Sequence, residues 1–216
     1  MLRVIRLAAT TLLVVVLVGW GLAWFAARDP DGLAARLLAR VGSAVGLEAN
    51  SGAASIGGPF QLVDSTGRTV SDQDFRGHWM VVYFGYTFCP DVCPTELQTI
   101  SAALDQLGKV GADIVPVFIT IDPARDTPQA MGQYVKLFDD RLVGLTGSAE
   151  QIGDVAGRYR VYYAKVTPKG SSSYLMDHSS FIYLVGPDGR FRALIRSGLT
   201  ADALAQTIEK NIRSSG

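Results

Sequence analysis

Cys89 and Cys93 are the chain's only cysteines, and they stand close together in Gly85-Tyr86-Thr87-Phe88-Cys89-Pro90-Asp91-Val92-Cys93-Pro94-Thr95-Glu96-Leu97. A thiolate attacks disulfides and ligates metals, so this pair can do redox chemistry, hold a metal, or both. The Cys-x-x-x-Cys spacing is one residue longer than the usual redox pair, yet it lets both sulfurs converge on one point. Two thiolates form a soft pair suited to Cu(I) and also to zinc. Two ligands are sparse for either ion, and His178 is the candidate third, in Asp177-His178-Ser179-Ser180 before an apolar run. Taken alone, His178 reads more simply as a solvated imidazole.

The other polar residues near these motifs have quieter readings. His78, in Gly77-His78-Trp79, is expected to be solvated. Asp122, Arg125 and Asp126 flank Pro123 and read first as a turn that caps the next helix, with Arg125 paired to a carboxylate. The alternative places Asp122 beside the metal loop, tuning it or meeting a partner. Asp91 reads as a turn former, with an oxygen for Cu(II) as the alternative. Met176 reads as core packing. Arg158, Arg160 and Tyr162 are assigned to a helix end and an exposed strand edge.

The elements that must position the cysteines follow from periodicity. Trp79 to Phe84 is continuously apolar, as expected of a strand covered on both faces. Leu97, Ile100, Leu104 and Leu107 recur at spacings of three and four, which predicts a helix with one buried stripe. Cys93 then sits at the helix N-terminus, where unpaired N–H groups and the helix dipole favour a thiolate, although Glu96 opposes this. Pro94 is assigned to the first helical position. Phe60–Val63 and Arg68–Val70 flank a turn and predict an N-terminal β-hairpin. Ile114 to Ile121 is a second apolar strand, and Pro116 within it predicts an edge position or a strand start. Residues 128–138 and 148–158 are helix candidates. Phe181–Val185 and Phe191–Ile195 around Gly186-Pro187-Asp188-Gly189 predict a second hairpin, and Thr200 caps a final helix. The order implies an α/β, thioredoxin-like fold, a central mixed sheet flanked by helices. In such folds the residue entering the late strand lies beside the cysteine pair and is often a cis-proline. No proline lies between Gly170 and Pro187, and His178 takes about that place.

Three blocks carry a resemblance: Phe84-Gly85-Tyr86-Thr87-Phe88-Cys89-Pro90-Asp91-Val92-Cys93-Pro94, Ile121-Asp122-Pro123-Ala124-Arg125-Asp126-Thr127-Pro128, and Asp177-His178-Ser179. From about Gly58 to Ile212 the sequence resembles the Sco/SenC family of copper chaperones, which serve assembly of the binuclear copper site of cytochrome c oxidase. The resemblance implies a thioredoxin-like fold, a membrane anchor, and copper, as Cu(I), Cu(II) or both, held by Cys89, Cys93 and His178. It reverses the bland reading of His178. It also implies as partners the copper-containing oxidase subunit, other periplasmic copper carriers and thiol reductants. The main rival is a thiol–disulfide oxidoreductase in which Cys89 attacks and Cys93 resolves, acting on the cysteines of the same oxidase subunit. A thiol peroxidase and a non-catalytic copper sensor are further readings. The peroxidase is weakened by the lack of a marked peroxide-activating cysteine with a positioned arginine.

Composition sets the compartment. The formal net charge is zero and 19% of residues are charged, which gives no basic excess for nucleic acid. Leu7 to Ala27 is uncharged, about 21 residues or roughly 31 Å as a helix, long enough to cross a bilayer. Phe25-Ala26-Ala27 is a poor cleavage pattern, and Trp20, Trp24 and Phe25 suit an interfacial anchor. Residues 1–27 are therefore expected to be a cytoplasmic N-terminus and uncleaved transmembrane signal anchor. Residues 28–57 are expected to be a linker with a short amphipathic helix, and 58–216 the copper-binding domain. The N-terminus lacks transit-peptide features, so the expected location is a bacterial inner membrane, single-pass, with the domain in the periplasm. Two thiols exported there tend to pair unless kept reduced or metal-bound.

Overall fold

The computed structural model describes Trp20, Trp24 and residues 56–215. Both tryptophans are helical and exposed. Among the described residues no helix is long and apolar enough to cross a membrane. The run proposed as an anchor, apart from the two tryptophans, and most of the linker lie outside them.

Seven strands form one sheet, in the spatial order Thr69–Ser71, Gln61–Asp64, Val143–Thr146, Ile114–Thr120, Trp79–Gly85, Phe181–Val185, Phe191–Arg196. Strands β1 (Gln61–Asp64) and β2 (Thr69–Ser71) make the expected N-terminal hairpin. The chain then turns through a 3-10 segment, Asp72–Phe75, into β3 (Trp79–Gly85). Helix α1 (Val92–Gln106) and a short α2 (Lys109–Ala112) lead to β4 (Ile114–Thr120). Next come α3 (Pro128–Val135), β5 (Val143–Thr146) and α4 (Ala149–Tyr159). Strands β6 (Tyr163–Val166) and β7 (Leu175–His178) form a separate two-stranded sheet. The chain ends with β8 (Phe181–Val185), β9 (Phe191–Arg196) and α5 (Ala201–Ser214).

Strands β3, β4 and β5 run parallel, whereas β8 joins β3 antiparallel and β1 joins β5 antiparallel. The mixed sheet predicted from the β-α-β order is thus present. Strand β3 is central, and its residues from Met80 to Gly85 are buried, which is why its sequence shows no polar alternation. The stripe Leu97, Ile100 and Leu104 of α1 is buried, and α1 packs against α5. Thr200 accepts a hydrogen bond from the Ala203 N–H and caps α5 as its sequence predicted.

Three expectations need correction. Pro116 lies third in the central strand β4, not at a sheet edge. It faces Val81 of β3, and the ladder to β5 begins only at Val117, so on that side there is no strand bond for a proline to break. Pro94 is the third residue of α1 rather than the first, still within the turn whose N–H groups lack helical partners. The helix begun at Pro128 stops at Val135, short of the predicted 138. Strands β5, β6 and β7 are short, and their sequences gave no alternation long enough to mark them.

Candidate metal centre

The two cysteines sit where β3 hands the chain to α1. Asp91 is the residue before the helix, so Cys93 is its second residue and Cys89 lies in the preceding loop. Cys93 is fully buried and Cys89 partly exposed, and neither forms a disulfide. The Cys93 backbone N–H donates to Cys89 Sγ at 3.4 Å, an orphan helix donor aimed at a sulfur. Gly85 ends β3 beneath them. A Cβ there would lie 2.8 Å from both Cys93 Sγ and the Phe118 ring, so the close approach of the sulfur requires glycine.

His178 arrives from β7, 85 positions along the chain, and its Nε2 stands 3.6 Å from Cys93 Sγ. Its Nδ1–H donates to the Ser179 carbonyl at 3.0 Å, which leaves the Nε2 lone pair facing the sulfur. The ring is held edge-on between Tyr83 and Tyr86, with centroids 6.4 and 6.1 Å away. An open groove of about 520 Å³ runs past the site, between Cys89, Pro90, Asp91 and Val92 on one bank and Leu175 to His178 on the other.

The two thiols ionise very differently. Hydrogen bonds from the Cys93 thiol and from the Asp91 and Cys93 backbone outweigh burial and bring the Cys89 pKa down to about 3. Cys93 is pushed up, first by its hydrogen bond to Cys89 and then by burial. The metal-free pair therefore holds one partly exposed thiolate and one buried proton.

Two sulfurs and an imidazole nitrogen are soft to borderline donors, which matches copper and zinc rather than a hard cation. A metal bonded to sulfur at about 2.3 Å and nitrogen at about 2.0 Å spans an S···N edge of about 3.6–3.8 Å, close to the Cys93–His178 separation. Among the described residues no three His, Cys, Asp or Glu side chains are yet gathered tightly enough to hold an ion as they stand.

Other candidates fall as their residue types imply. His78 is exposed. Met176 is buried against the core. Asp91 lines the groove, and its side chain caps nothing. Tyr162 is exposed beside β6, and Arg158 pairs with Asp154 within α4. Glu96 does not stand over the helix N-terminus. It is buried, accepts the Gly198 N–H at 3.1 Å, and burial raises its pKa, so its opposition to the thiolate is muted. Asp126 was read as a turn residue and proves to be a buried anchor. It accepts from the Thr87 N–H (3.1 Å), Thr87 Oγ1 (2.5 Å) and Thr120 Oγ1 (2.6 Å), fixing the loop that carries Cys89. Only Gly85, a glycine closing a buried strand, carried a sequence signal of this supporting shell.

Comparison with known proteins decides the family. The SCO1/SenC family model matches residues 48–213. The chain belongs to the SCO1/SenC family. Among SCO1/SenC relatives it is 46% identical over 165 residues to SCO1 homolog 1, mitochondrial, of Arabidopsis thaliana, covering 76% of this chain and 49% of that protein. It is 41% identical over 160 residues to the mitochondrial SCO1 homolog of Homo sapiens, covering 73% and 53% respectively. The chain thus spans about half the length of these curated relatives. Two SCO1/SenC structures superpose well. Arabidopsis thaliana ScoI with copper bound gives a TM-score of 0.71 at 45% identity, covering 74% of this chain and 99% of that one. Bradyrhizobium japonicum ScoI with copper bound gives 0.66 at 43%, covering 73% and 99%. The thioredoxin-like fold expected from sequence is the SCO1/SenC fold.

Proposed function

We propose that this chain binds copper through Cys89, Cys93 and His178 and passes it to the copper-containing subunit of cytochrome c oxidase. The observation that carries the reading is the meeting of Cys93 Sγ with His178 Nε2 across 85 positions, beside the thiolate of Cys89. The copper-bound state of two similar structures supports it. Copper would supply a thiophilic centre, and the residues present do the rest. Cys89 offers a thiolate at the groove, Cys93 gives up its proton on binding, and His178 completes the set with its other nitrogen already fixed. Three ligands beside an open groove leave room for an incoming acceptor thiolate, so copper can move by ligand exchange without release into water. Residues 7–27 would anchor the chain in a bacterial inner membrane, with residues 58–216 as the periplasmic domain.

Anaerobic Cu(I) titration of the reduced protein, with X-ray absorption on the loaded form, tests this. Binding near one equivalent with two sulfurs and one nitrogen supports it. Sub-stoichiometric binding, or unchanged affinity in His178→Ala, rejects it.

One observation favours a second reading, thiol–disulfide oxidoreductase. A partly exposed thiolate at Cys89 beside a buried protonated Cys93 is the asymmetry of an attacking and a resolving thiol. If His178→Ala keeps full oxidase assembly in cells while Cys89→Ser and Cys93→Ser lose it, reduction replaces delivery.

A further inference from the structure

His178 rides on β7, and β7 pairs only with β6. An isolated two-stranded hairpin is marginally stable in water, so this arm needs tertiary anchors to keep its imidazole in place. Its connecting loop gives little help, because Ser171, Ser172 and Ser173 are exposed. The next residue, Tyr174, meets two cations. Arg125 Cζ lies 3.8 Å from the centroid of the Tyr174 ring, and Arg125 Nη1 donates to the Tyr174 carbonyl at 3.1 Å. Lys165 of β6 lies over the same ring at 4.0 Å. The Tyr174 hydroxyl donates to Asp122 Oδ1 at 2.9 Å, and Asp122 Oδ2 accepts Arg125 Nε. On its other side Arg125 reaches the cysteine loop, with its Cζ 4.6 Å from the Phe88 ring centroid and 5.8 Å from that of Tyr86. Phe88 adjoins Cys89, and Tyr86 packs on His178. Arg125 Nη2 is buried with no hydrogen-bond acceptor among the described residues.

We propose that Arg125 is a positioning residue, clamped by Asp122, that fastens the His178 arm to the Cys89 loop through Tyr174, Phe88 and Tyr86. This rests on the reading of His178 as a copper ligand. The guanidinium plane is what the role requires, since it stacks on rings while its edge donates to a carbonyl and a carboxylate. A lysine keeps the charge and loses the plane.

The test is hydrogen exchange of the reduced, metal-free full chain in detergent, with Cu(I) affinity measured in parallel. In Arg125→Met the amides of Leu175–His178 should exchange about tenfold faster or more, while Phe181–Arg196 in the main sheet stays as in the wild type. Arg125→Lys should restore only a small part of the protection. Tyr174→Leu, at a partly buried position, should loosen the same amides while Phe181–Arg196 keeps its protection, and combining it with Arg125→Met should add little. Cu(I) affinity should fall in Arg125→Met, by less than in His178→Ala, and Arg125→Met should lower it no further in a His178→Ala background. Unchanged exchange at Leu175–His178, or a rise shared equally by Phe181–Arg196, overturns the clamp. A loosened arm with wild-type Cu(I) affinity leaves the clamp standing and overturns the ligand role of His178.

Discussion

Cys89 and Cys93 differ because the fold treats them differently, although they stand only four positions apart. Cys89 collects donors at a helix N-terminus and stays at the groove, while Cys93 is packed under it against Gly85 and Phe118. The pH dependence has a definite sign. A group held down at about 3 is a thiolate throughout the neutral range and is protonated only as pH falls towards that value. Alkylation of Cys89 by iodoacetamide in the metal-free reduced protein should therefore be nearly flat from pH 8 to pH 5. An ordinary thiol of pKa near 8.5 would slow close to a thousandfold, roughly, over that interval. Mass spectrometry of the modified peptide gives the rates. His178 should show its role in affinity. Losing a group that merely supports a ligand costs about 10–100-fold in metal affinity, so losing the ligand itself in His178→Ala should cost at least about 100-fold. Competition with a chromophoric Cu(I) chelator measures this.

Among the elements, β3 and α1 bear most of the positioning. Strand β3 presents Gly85 under the sulfur, and α1 is pinned to the sheet by Leu97, Ile100 and Leu104. Gly85→Ala should force Cys93 Sγ or the Phe118 ring aside, at a stability cost of about 1–3 kcal/mol typical of overpacking. It should also weaken Cu(I) binding, unlike Leu104→Ala at the far end of the stripe. Leu104→Ala should cost about 2–5 kcal/mol with the metal site intact, because it leaves a cavity away from the sulfurs. Urea denaturation paired with Cu(I) titration separates the two. The β6–β7 arm behaves oppositely to the core. It is a small satellite sheet whose strands pair only with each other, so its amides should open at lower free energy than those of the main sheet.

At the scale of the whole molecule, the folded unit and the N-terminal run have separate duties in the proposed function. The unit spanning Ser55–Gly216 supplies the site, and Leu7–Ala27 is proposed to hold it at a membrane. Deleting residues 1–27 should move the protein from the alkaline-resistant membrane pellet to the supernatant with Cu(I) binding unchanged. Recovery of the full chain in the supernatant would remove the anchor from the proposal.

The sequence by itself settled what local pattern can settle. The apolar run of β3, the three-and-four spacing of the α1 stripe, the turn residues of the two hairpins and the cap of the last helix are all local signals, each carried by neighbouring residues. The cysteine pair and the position of His178 at the entry to β8 were legible as motifs. Tertiary structure decided the rest. That β4 is central despite Pro116, that Glu96 turns to Gly198, that Asp126 holds Thr87, and that Arg125 joins two loops all depend on residues distant in the chain. No periodicity encodes such meetings. Each is made by which strands lie side by side and which polar groups must find partners once water is excluded.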